Sequence, residues 1–405
     1  MSITDSIVIV GGGHAGAQLC VALVAAGWGP KVHLVCEEPD LPYQRPPLSK
    51  TYLKNRDEAI QLHRATEWFG EAGIRVHRGD PARSIDRSHR RVTLASGVTL
   101  DYRSLVLATG TRARQLPDLP TGLRNVAILR TAADAARLRQ QMPDMHKLTV
   151  IGGGFIGLEV AATARAAGKQ VEVIEAAPRL LMRSCSVELA EHVLRAHRDN
   201  GVNVRVGAAV GGFEVEGDVL SSVIVDGART SVDTVLLGVG AVPEIELAKG
   251  AGLDFADGIL VDDYMQTSDR AVLAIGDCAS FIEPSSGRRR RLESVQNAAD
   301  QAKCAAATLT GSPSAHRAIP WFWSEQGSLR LQMAGLLPVQ GTAYRRQGAN
   351  PASFSLLHYA GERLVCVESV NAPADHIAAR RLLELGRHPD PTVAADPSRA
   401  LRSFQ

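Results

Sequence analysis

The sequence predicts an α/β protein in which one strand–glycine turn–helix–strand unit is nested inside another, with an α+β region at the C-terminal end. Three observations carry this. Gly11-Gly12-Gly13-His14-Ala15-Gly16 follows the continuous apolar run Ile7–Val10. Gly152-Gly153-Gly154-Phe155-Ile156-Gly157 follows a second expected strand, Lys147–Ile151. After about Pro320 the texture shifts to the alternating strand patterns that begin at Trp321-Phe322-Trp323. A continuous apolar run such as Ile7–Val10 suits a parallel strand buried on both faces.

Each unit reads in the same order. In the first, Ile7–Val10 is the strand, Ala17–Ala26 has a helical pattern ending near Gly27, and Lys31–Cys36 is the next strand, closed by Glu37. In the second, Leu158–Ala167 is the helix and Gln170–Ile174 the strand, closed by Glu175. Further buried strands are expected at Leu105–Leu107, Thr234–Gly240 and Ala271–Asp277, and an antiparallel excursion over Asp86–Leu100. Strands at Ser353–His358 and Leu364–Val370 and a helix at about Asp375–Leu385 complete the C-terminal region. The tail beyond Arg387 carries Pro389, Pro391 and Pro397 and is expected to be irregular.

Composition sets the outer limits. The chain has 405 residues, 45% hydrophobic and 22% charged, which excludes disorder or coiled coil as a whole-chain description. Its net charge of +2 gives no global field for nucleic acid or a membrane surface. The six cysteines contain no C-x-x-C pair, so neither a zinc ribbon nor a dithiol centre is signalled. They read as free thiols of a reducing compartment. With no signal-like or membrane-length apolar segment, a cytoplasmic protein is expected. The histidines show no metal spacing, and no metal is expected.

The glycine turns carry chemistry because of their context. The first glycine allows the tight turn, the second admits a pyrophosphate against the backbone, and the third lets helix and strand pack closely. The pyrophosphate then meets free N–H groups at the positive end of the helix. Glu37 and Glu175 are placed to accept hydrogen bonds from adenosine ribose hydroxyls. At Glu175 a 2′-phosphate would meet like charge, which favours NADH over NADPH, with Arg179 and Arg183 close enough in sequence to soften the penalty. Two Rossmann-like units imply two dinucleotides, one a resident redox cofactor and the other a diffusing reductant.

Several segments resemble one family. Pro42-Tyr43-Gln44-Arg45-Pro46-Pro47-Leu48-Ser49-Lys50 is similar to the flavin-side loop of the FAD-containing, NADH-dependent ferredoxin reductases of bacterial cytochrome P450 and ring-hydroxylating oxygenase systems. Leu107-Ala108-Thr109-Gly110, Ala274-Ile275-Gly276-Asp277-Cys278-Ala279, Arg291–Ala298 and Pro320-Trp321-Phe322-Trp323-Ser324-Glu325-Gln326 match the same family in order along nearly the whole chain. The resemblance implies a glutathione-reductase-like fold. It implies a discontinuous FAD domain over 1–110 and 235–320, an NAD domain over 111–234 and a C-terminal domain over 321–405.

Carried residue by residue, the resemblance implies that Gly11, Gly13, Ala15 and Gly16 hold the FAD pyrophosphate and Glu37 its ribose. Ala82 would meet the adenine. Arg45 and Arg130 would lie at the cofactor, Asp277 at the ribitol chain and the Val295 backbone at the flavin pyrimidine edge. Gly152, Gly154, Ile156, Gly157 and Glu175 would hold NADH. Lys50 would lie near flavin N5, paired with Glu159, and Trp323 against the flavin on the side of the partner. A cation there stabilises the negative charge left by hydride arrival.

The implied activity is electron transfer from NADH to a [2Fe–2S] ferredoxin that serves a P450 or Rieske-type oxygenase. With no redox cysteine pair and no cysteine in the Tyr43–Pro47 loop, a disulfide- or peroxide-reducing activity is not signalled. Cys36 and Cys278 read as packed small residues. A reductase of rubredoxin, monodehydroascorbate or a quinone, and a non-catalytic flavin-bound redox sensor, remain alternative readings. The run Arg288–Arg291 is expected in a loop, either simply solvated or steering an acidic ferredoxin. Gly327-Ser328-Leu329 departs from the Tyr and acidic residue common in relatives, so partner specificity is not carried over.

Overall fold

The computed structural model describes residues 5–405. The chain divides into two compact units. The first comprises the chain through Arg45, with Ile60–Arg112 and Ala241–Ala318. The second comprises Pro46–Ala59, Ala113–Gly240 and Ile319–Gln405.

In the first unit, Ile7–Val10 is the middle strand of a five-stranded parallel sheet. Its order is Val272–Ala274, Ser104–Leu107, Ile7–Val10, Val32–Cys36, Arg75–Arg78. The residues of Ile7–Val10 and Val32–Cys36 are all buried, as unalternated apolar runs require. Helices His14–Ala25 and Val295–Leu309 pack together on this sheet. The expected antiparallel excursion is a three-stranded sheet of Ala82–Asp86, Arg91–Leu94 and Thr99–Asp101.

The second unit repeats this plan. Lys147–Ile151 is the middle strand of a parallel sheet ordered Asn203–Val206, Gln170–Glu175, Lys147–Ile151, Thr234–Leu237, Val126–Ala127. It too has a three-stranded antiparallel companion, Val210–Glu216, Val219–Val225 and Ala228–Ser231. The same unit holds a five-stranded antiparallel sheet, ordered Trp321–Gln326, Leu329–Gly335, Arg363–Val370, Phe354–Ala360, Thr342–Gln347, with helix Pro373–Glu384 packed on it.

Four local expectations change. Both glycine-turn helices begin earlier than their apolar periodicity suggested, at His14 and Phe155. Their N-caps are Gly13 and Gly154, so neither shows the usual polar cap signal. The strand read over Ala271–Asp277 is Val272–Ala274, and the chain then turns through a 3-10 segment, Gly276–Cys278. The basic run is not a loop: Arg289–Arg290 is an edge strand against Phe281–Ile282. There Arg289 donates to the Ser280 carbonyl at 2.7 Å, and Arg291 pairs with Asp257 at 3.3 Å and Glu293 at 2.5 Å. The C-terminal tail is not irregular throughout either. Asp390 caps a short helix, Pro391–Ala395, whose proline occupies the first turn, where its missing N–H costs nothing. Buried Arg346 gathers that tail, donating to the carbonyls of Ala394, Asp396 and Arg399 at 3.0, 2.6 and 2.7 Å.

Candidate functional site

The first glycine turn is built by close approach. Gly11 has φ +120°, and a Cβ there would lie 2.1 Å from the Ala108 carbonyl oxygen. A Cβ on Gly16 would lie 2.0 Å from the Gly11 oxygen. Gly13 is different: it caps the helix, and a Cβ on it would meet nothing within 4 Å. The first-turn N–H groups of Ala15 and Gly16 have no intrahelical acceptors, and no side chain caps the helix. This is a cradle for an anionic group.

Other first-unit candidates sit as follows. The Gly276–Asp277 turn packs on the same helix, the Ala15 Cβ lying 2.9 Å from where a Gly276 Cβ would be. Gln301 accepts from the Gly276 N–H at 2.7 Å, and Arg291 donates to the Asp277 carbonyl at 3.1 Å. Val295 is the first residue of its helix, behind the Ser294 cap. Glu37 is exposed, and Ala82 is half-buried in its strand. Arg45 is drawn to Glu38, at 2.7 Å, whose other oxygen accepts from the Tyr43 hydroxyl at 2.5 Å.

The second glycine turn repeats the geometry. Gly152 has φ +108°, and a Cβ there would lie 2.4 Å from the Gly238 carbonyl oxygen. Around Gly154 the nearest atom to a Cβ would be that same oxygen, at 3.8 Å. Ile156, in the first turn of the helix, is 46% exposed. Glu175 ties the turn together: its Oε2 accepts from the Gly153 N–H at 2.6 Å and its Oε1 from the Ala177 N–H at 2.7 Å. Arg179 folds back onto its own turn, donating to the Met182 carbonyl at 2.9 Å. Arg130 precedes the Thr131 capping box of helix Ala132–Gln141.

The structure also brings Lys50 and Glu159 together. Lys50 Nζ lies 2.7 Å from Glu159 Oε2, with Lys50 17% and Glu159 4% exposed. Lys50 follows a short 3-10 turn, Pro46–Ser49, and donates as well to the Pro46 carbonyl at 3.2 Å. Arg139 anchors this segment: it donates to the Glu58 carbonyl at 2.7 Å and the Tyr52 hydroxyl at 3.0 Å, and lies over the Tyr52 ring at 3.8 Å. Glu159 projects from helix Phe155–Ala166, one turn beyond the glycine cap.

Sequence reasoning missed the groups that surround this carboxylate. Ser49 donates to Glu159 Oε2 at 2.5 Å and Ser324 to Oε1 at 2.7 Å, across 110 and 165 residues of chain. Both serines lie inside segments the sequence already singled out, yet nothing local to either names its partner. Trp323, by contrast, points away from Ser324 in strand alternation and stacks beside Trp321, ring centroids 5.6 Å apart.

The cysteines lie apart from this chemistry. All six are buried. Burial pushes the Cys36 thiol up to about 12 and raises Cys278 as well, so neither is a thiolate at neutral pH. Among the described residues, no three His, Cys, Asp or Glu side chains gather as a metal would require, and no helix is long and apolar enough to cross a membrane.

Comparison with known proteins bears on this arrangement. Residues 5–302 match the family described as pyridine nucleotide-disulphide oxidoreductase, and residues 321–405 match the reductase C-terminal family. This chain belongs to the pyridine nucleotide-disulphide oxidoreductases. The oxidoreductase is 43% identical to rhodocoxin reductase of Rhodococcus erythropolis, over 96% of this chain and 92% of that protein. It is 37% identical to putidaredoxin reductase of Pseudomonas putida, over 100% and 97%. Among solved structures, the ferredoxin reductase of the CYP199A2 system from Rhodopseudomonas palustris is 42% identical with a TM-score of 0.95, covering 98% of this chain and 99% of that one. Putidaredoxin reductase in its covalent complex with putidaredoxin gives 0.94 at 36% identity, covering 100% and 98%.

Membership in this family implies a flavin and a pyridine nucleotide. The oxidoreductase has two places that fit them. Gly13 and Gly154 each cap a helix, and at neither would a Cβ find a protein atom in close contact.

Proposed function

We propose that the protein is an NADH-dependent, FAD-containing ferredoxin reductase that supplies single electrons to a [2Fe–2S] ferredoxin of a P450 or Rieske-type oxygenase system. The observation that carries this reading is the Lys50–Glu159 pair, half-buried at the lysine and buried at the carboxylate, beside the second glycine turn, in a chain whose thiols are all buried. Near-full-length similarity to reductases named for such ferredoxins supports the partner class.

In this reading FAD is held by Gly11, Gly13, Ala15 and Gly16 at its pyrophosphate and by Glu37 at its ribose. Ala82, Arg45, Arg130, Asp277 and the Val295 backbone serve the rest of it, and Trp323 lies against it. NADH is held by Gly152, Gly154, Ile156, Gly157 and Glu175. The chemistry the flavin supplies when bound is acceptance of a hydride and release of two electrons, one at a time. The chain's own residues do three things. The helix starts bind the two pyrophosphates through oriented N–H groups. Glu175, already fixed by two backbone N–H groups, presents its remaining lone pairs to a ribose diol. Lys50, oriented by Glu159 and the Pro46 carbonyl, holds a positive charge where negative charge develops, without rearrangement. We assign the chain three domains on the same basis, FAD over 1–110 and 235–320, NAD over 111–234 and C-terminal over 321–405.

The test is NADH-driven cytochrome c reduction with and without an added [2Fe–2S] ferredoxin. A large ferredoxin-dependent rate is expected. Fast loss of flavin absorbance on NADH addition, with no gain from several ferredoxins but turnover with a quinone or monodehydroascorbate, would overturn the partner assignment. Lys50→Met is expected to slow flavin reduction about 10-fold or more with the flavin still bound; an unchanged rate would remove the role given to Lys50.

A further inference from the structure

We propose that Ser324, backed by Gln326 and His197, is a positioning residue for Glu159 and, through it, for Lys50. The inference rests on the function proposed above and extends it to the C-terminal strand Trp321–Gln326.

The hydrogen bonds form one connected line within the second unit. His197 Nε2 lies 2.8 Å from Gln326 Oε1, Gln326 Nε2 donates to Ser324 Oγ at 3.2 Å, and Ser324 Oγ donates to Glu159 Oε1 at 2.7 Å. The line ends at Lys50 on the other carboxylate oxygen. Every intermediate member is nearly sealed from solvent: His197 and Glu159 are 4% exposed, Gln326 2% and Ser324 0%.

The direction of each bond is fixed by its neighbours. Glu159 Oε2 accepts from Lys50 and Ser49, and Ser324 donates to Oε1. With its hydrogen so directed, Ser324 can only accept from Gln326, which sets the amide with Nε2 toward the serine. Gln326 Oε1 must then accept, so His197 carries a proton on Nε2. A protonated imidazole would donate from the same atom, so the polarity of the line does not depend on the charge of His197.

Two features make this a device for orientation rather than a generic buried network. Glu159 divides its oxygens: Oε2 takes Lys50 and Ser49, while among the described residues the donor at Oε1 is Ser324. Without Ser324 the carboxylate keeps partners on one side alone and can turn about its Cγ–Cδ bond, taking Lys50 with it. The strand that carries Ser324 is also pinned. Phe322, on the same strand face, packs on Phe155 at the start of the Glu159 helix, with ring centroids 4.5 Å apart. The serine is thus held in register with the carboxylate by apolar contact one step along each element.

The experiment uses the flavin-loaded protein and two readouts. The first is the rate of reductive methylation of Lys50, followed by peptide mass spectrometry with Lys169 as internal reference. The second is the rate of flavin reduction by NADH. Ser324→Ala is expected to raise the Lys50 methylation rate and to lower the reduction rate, each about three- to tenfold, through kcat rather than KM. Ser324→Thr, which keeps the hydroxyl, should restore both. Gln326→Leu, one link further back, should give a smaller change in the same direction and serves if Ser324→Ala does not fold. In Lys50→Met, adding Ser324→Ala should cost no further rate. Methylation and reduction both within twofold of the parent in Ser324→Ala and Gln326→Leu would overturn the proposal. If Lys50→Met leaves flavin reduction unchanged while Ser324→Ala still frees Lys50 for methylation, the positioning stands and the catalytic role given to Lys50 fails.

Discussion

Replacing Glu175 by alanine separates a cofactor-binding carboxylate from a merely structural one. Glu175 bonds two backbone N–H groups of its own turn, at 2.6 and 2.7 Å, one on each oxygen. Each oxygen retains a lone pair, enough for two neighbouring ribose hydroxyls. Hydrogen bonds to a charged acceptor contribute about 1.5–3 kcal/mol, so the substitution should lower kcat/KM for NADH about 10- to 100-fold. For NADPH the sign differs, because the parent carboxylate faces a 2′-phosphate. At about 5 Å in a water-like dielectric, that repulsion amounts to roughly 1–2 kcal/mol. Its removal offsets much of the lost bonding, so kcat/KM for NADPH should stay within about threefold. Arg179, which donates to the Met182 carbonyl, is present in parent and variant alike and so cancels from the comparison. The assay is steady-state reduction of ferricyanide with each nucleotide, which makes the choice of ferredoxin irrelevant. An equal loss for both nucleotides would refute the ribose assignment and leave Glu175 as a brace for the turn.

Three further predictions test the cradle and the core. Gly13→Ala adds a methyl where no protein atom lies within 4 Å, so the fold should persist while flavin absorbance per polypeptide falls. Gly11→Ala forces φ +120° on a residue whose Cβ would lie 2.1 Å from a carbonyl oxygen, and the protein should fail to accumulate as a soluble chain. His376 is 2% exposed, and burial, with Arg380 and Arg330 nearby, pushes its pKa down to about 4. The unfolded chain therefore binds the proton first, near pH 6.5, so stability is full above that pH and is lost as pH falls toward 4. Unfolding free energies from urea titrations at pH 7.5 to 4.5 should fall, and His376→Leu should lessen that fall by on the order of 1–2 kcal/mol; an unchanged fall would remove the assignment.

The parallel sheets were legible because each glycine turn is preceded by a short β-branched-rich strand, Ile7–Val10 and Lys147–Ile151, and the turns because glycine is the residue that tolerates backbone 2 Å away. Helix starts were less so. Gly13 and Gly154 cap without a polar side chain, so periodicity alone placed the starts a turn late. In the arginine run Arg288 and Arg289 are exposed, as their charge suggested, whereas the Arg291 side chain is 10% exposed between two carboxylates, which charge alone does not foretell. The Lys50–Glu159 pair came from resemblance, not from spacing. Its serine partners could come from neither, since a buried carboxylate recruits donors through the fold, from segments that share no local pattern.

The two glycine turns share a backbone and differ in the state of their acids. Glu37, at the first, is exposed. Glu175, at the second, is already bound to Gly153 and Ala177 of its own turn. An exposed acid must be ordered when its ligand arrives, and that entropic cost is met once if the ligand stays. A ligand that binds and leaves at every turnover meets the cost each time, so a site ordered in advance favours it in both affinity and rate. The asymmetry fits a resident dinucleotide at the first turn and an exchanging one at the second. Weakening the brace alone should therefore slow productive capture of NADH while leaving the tightly held flavin in place.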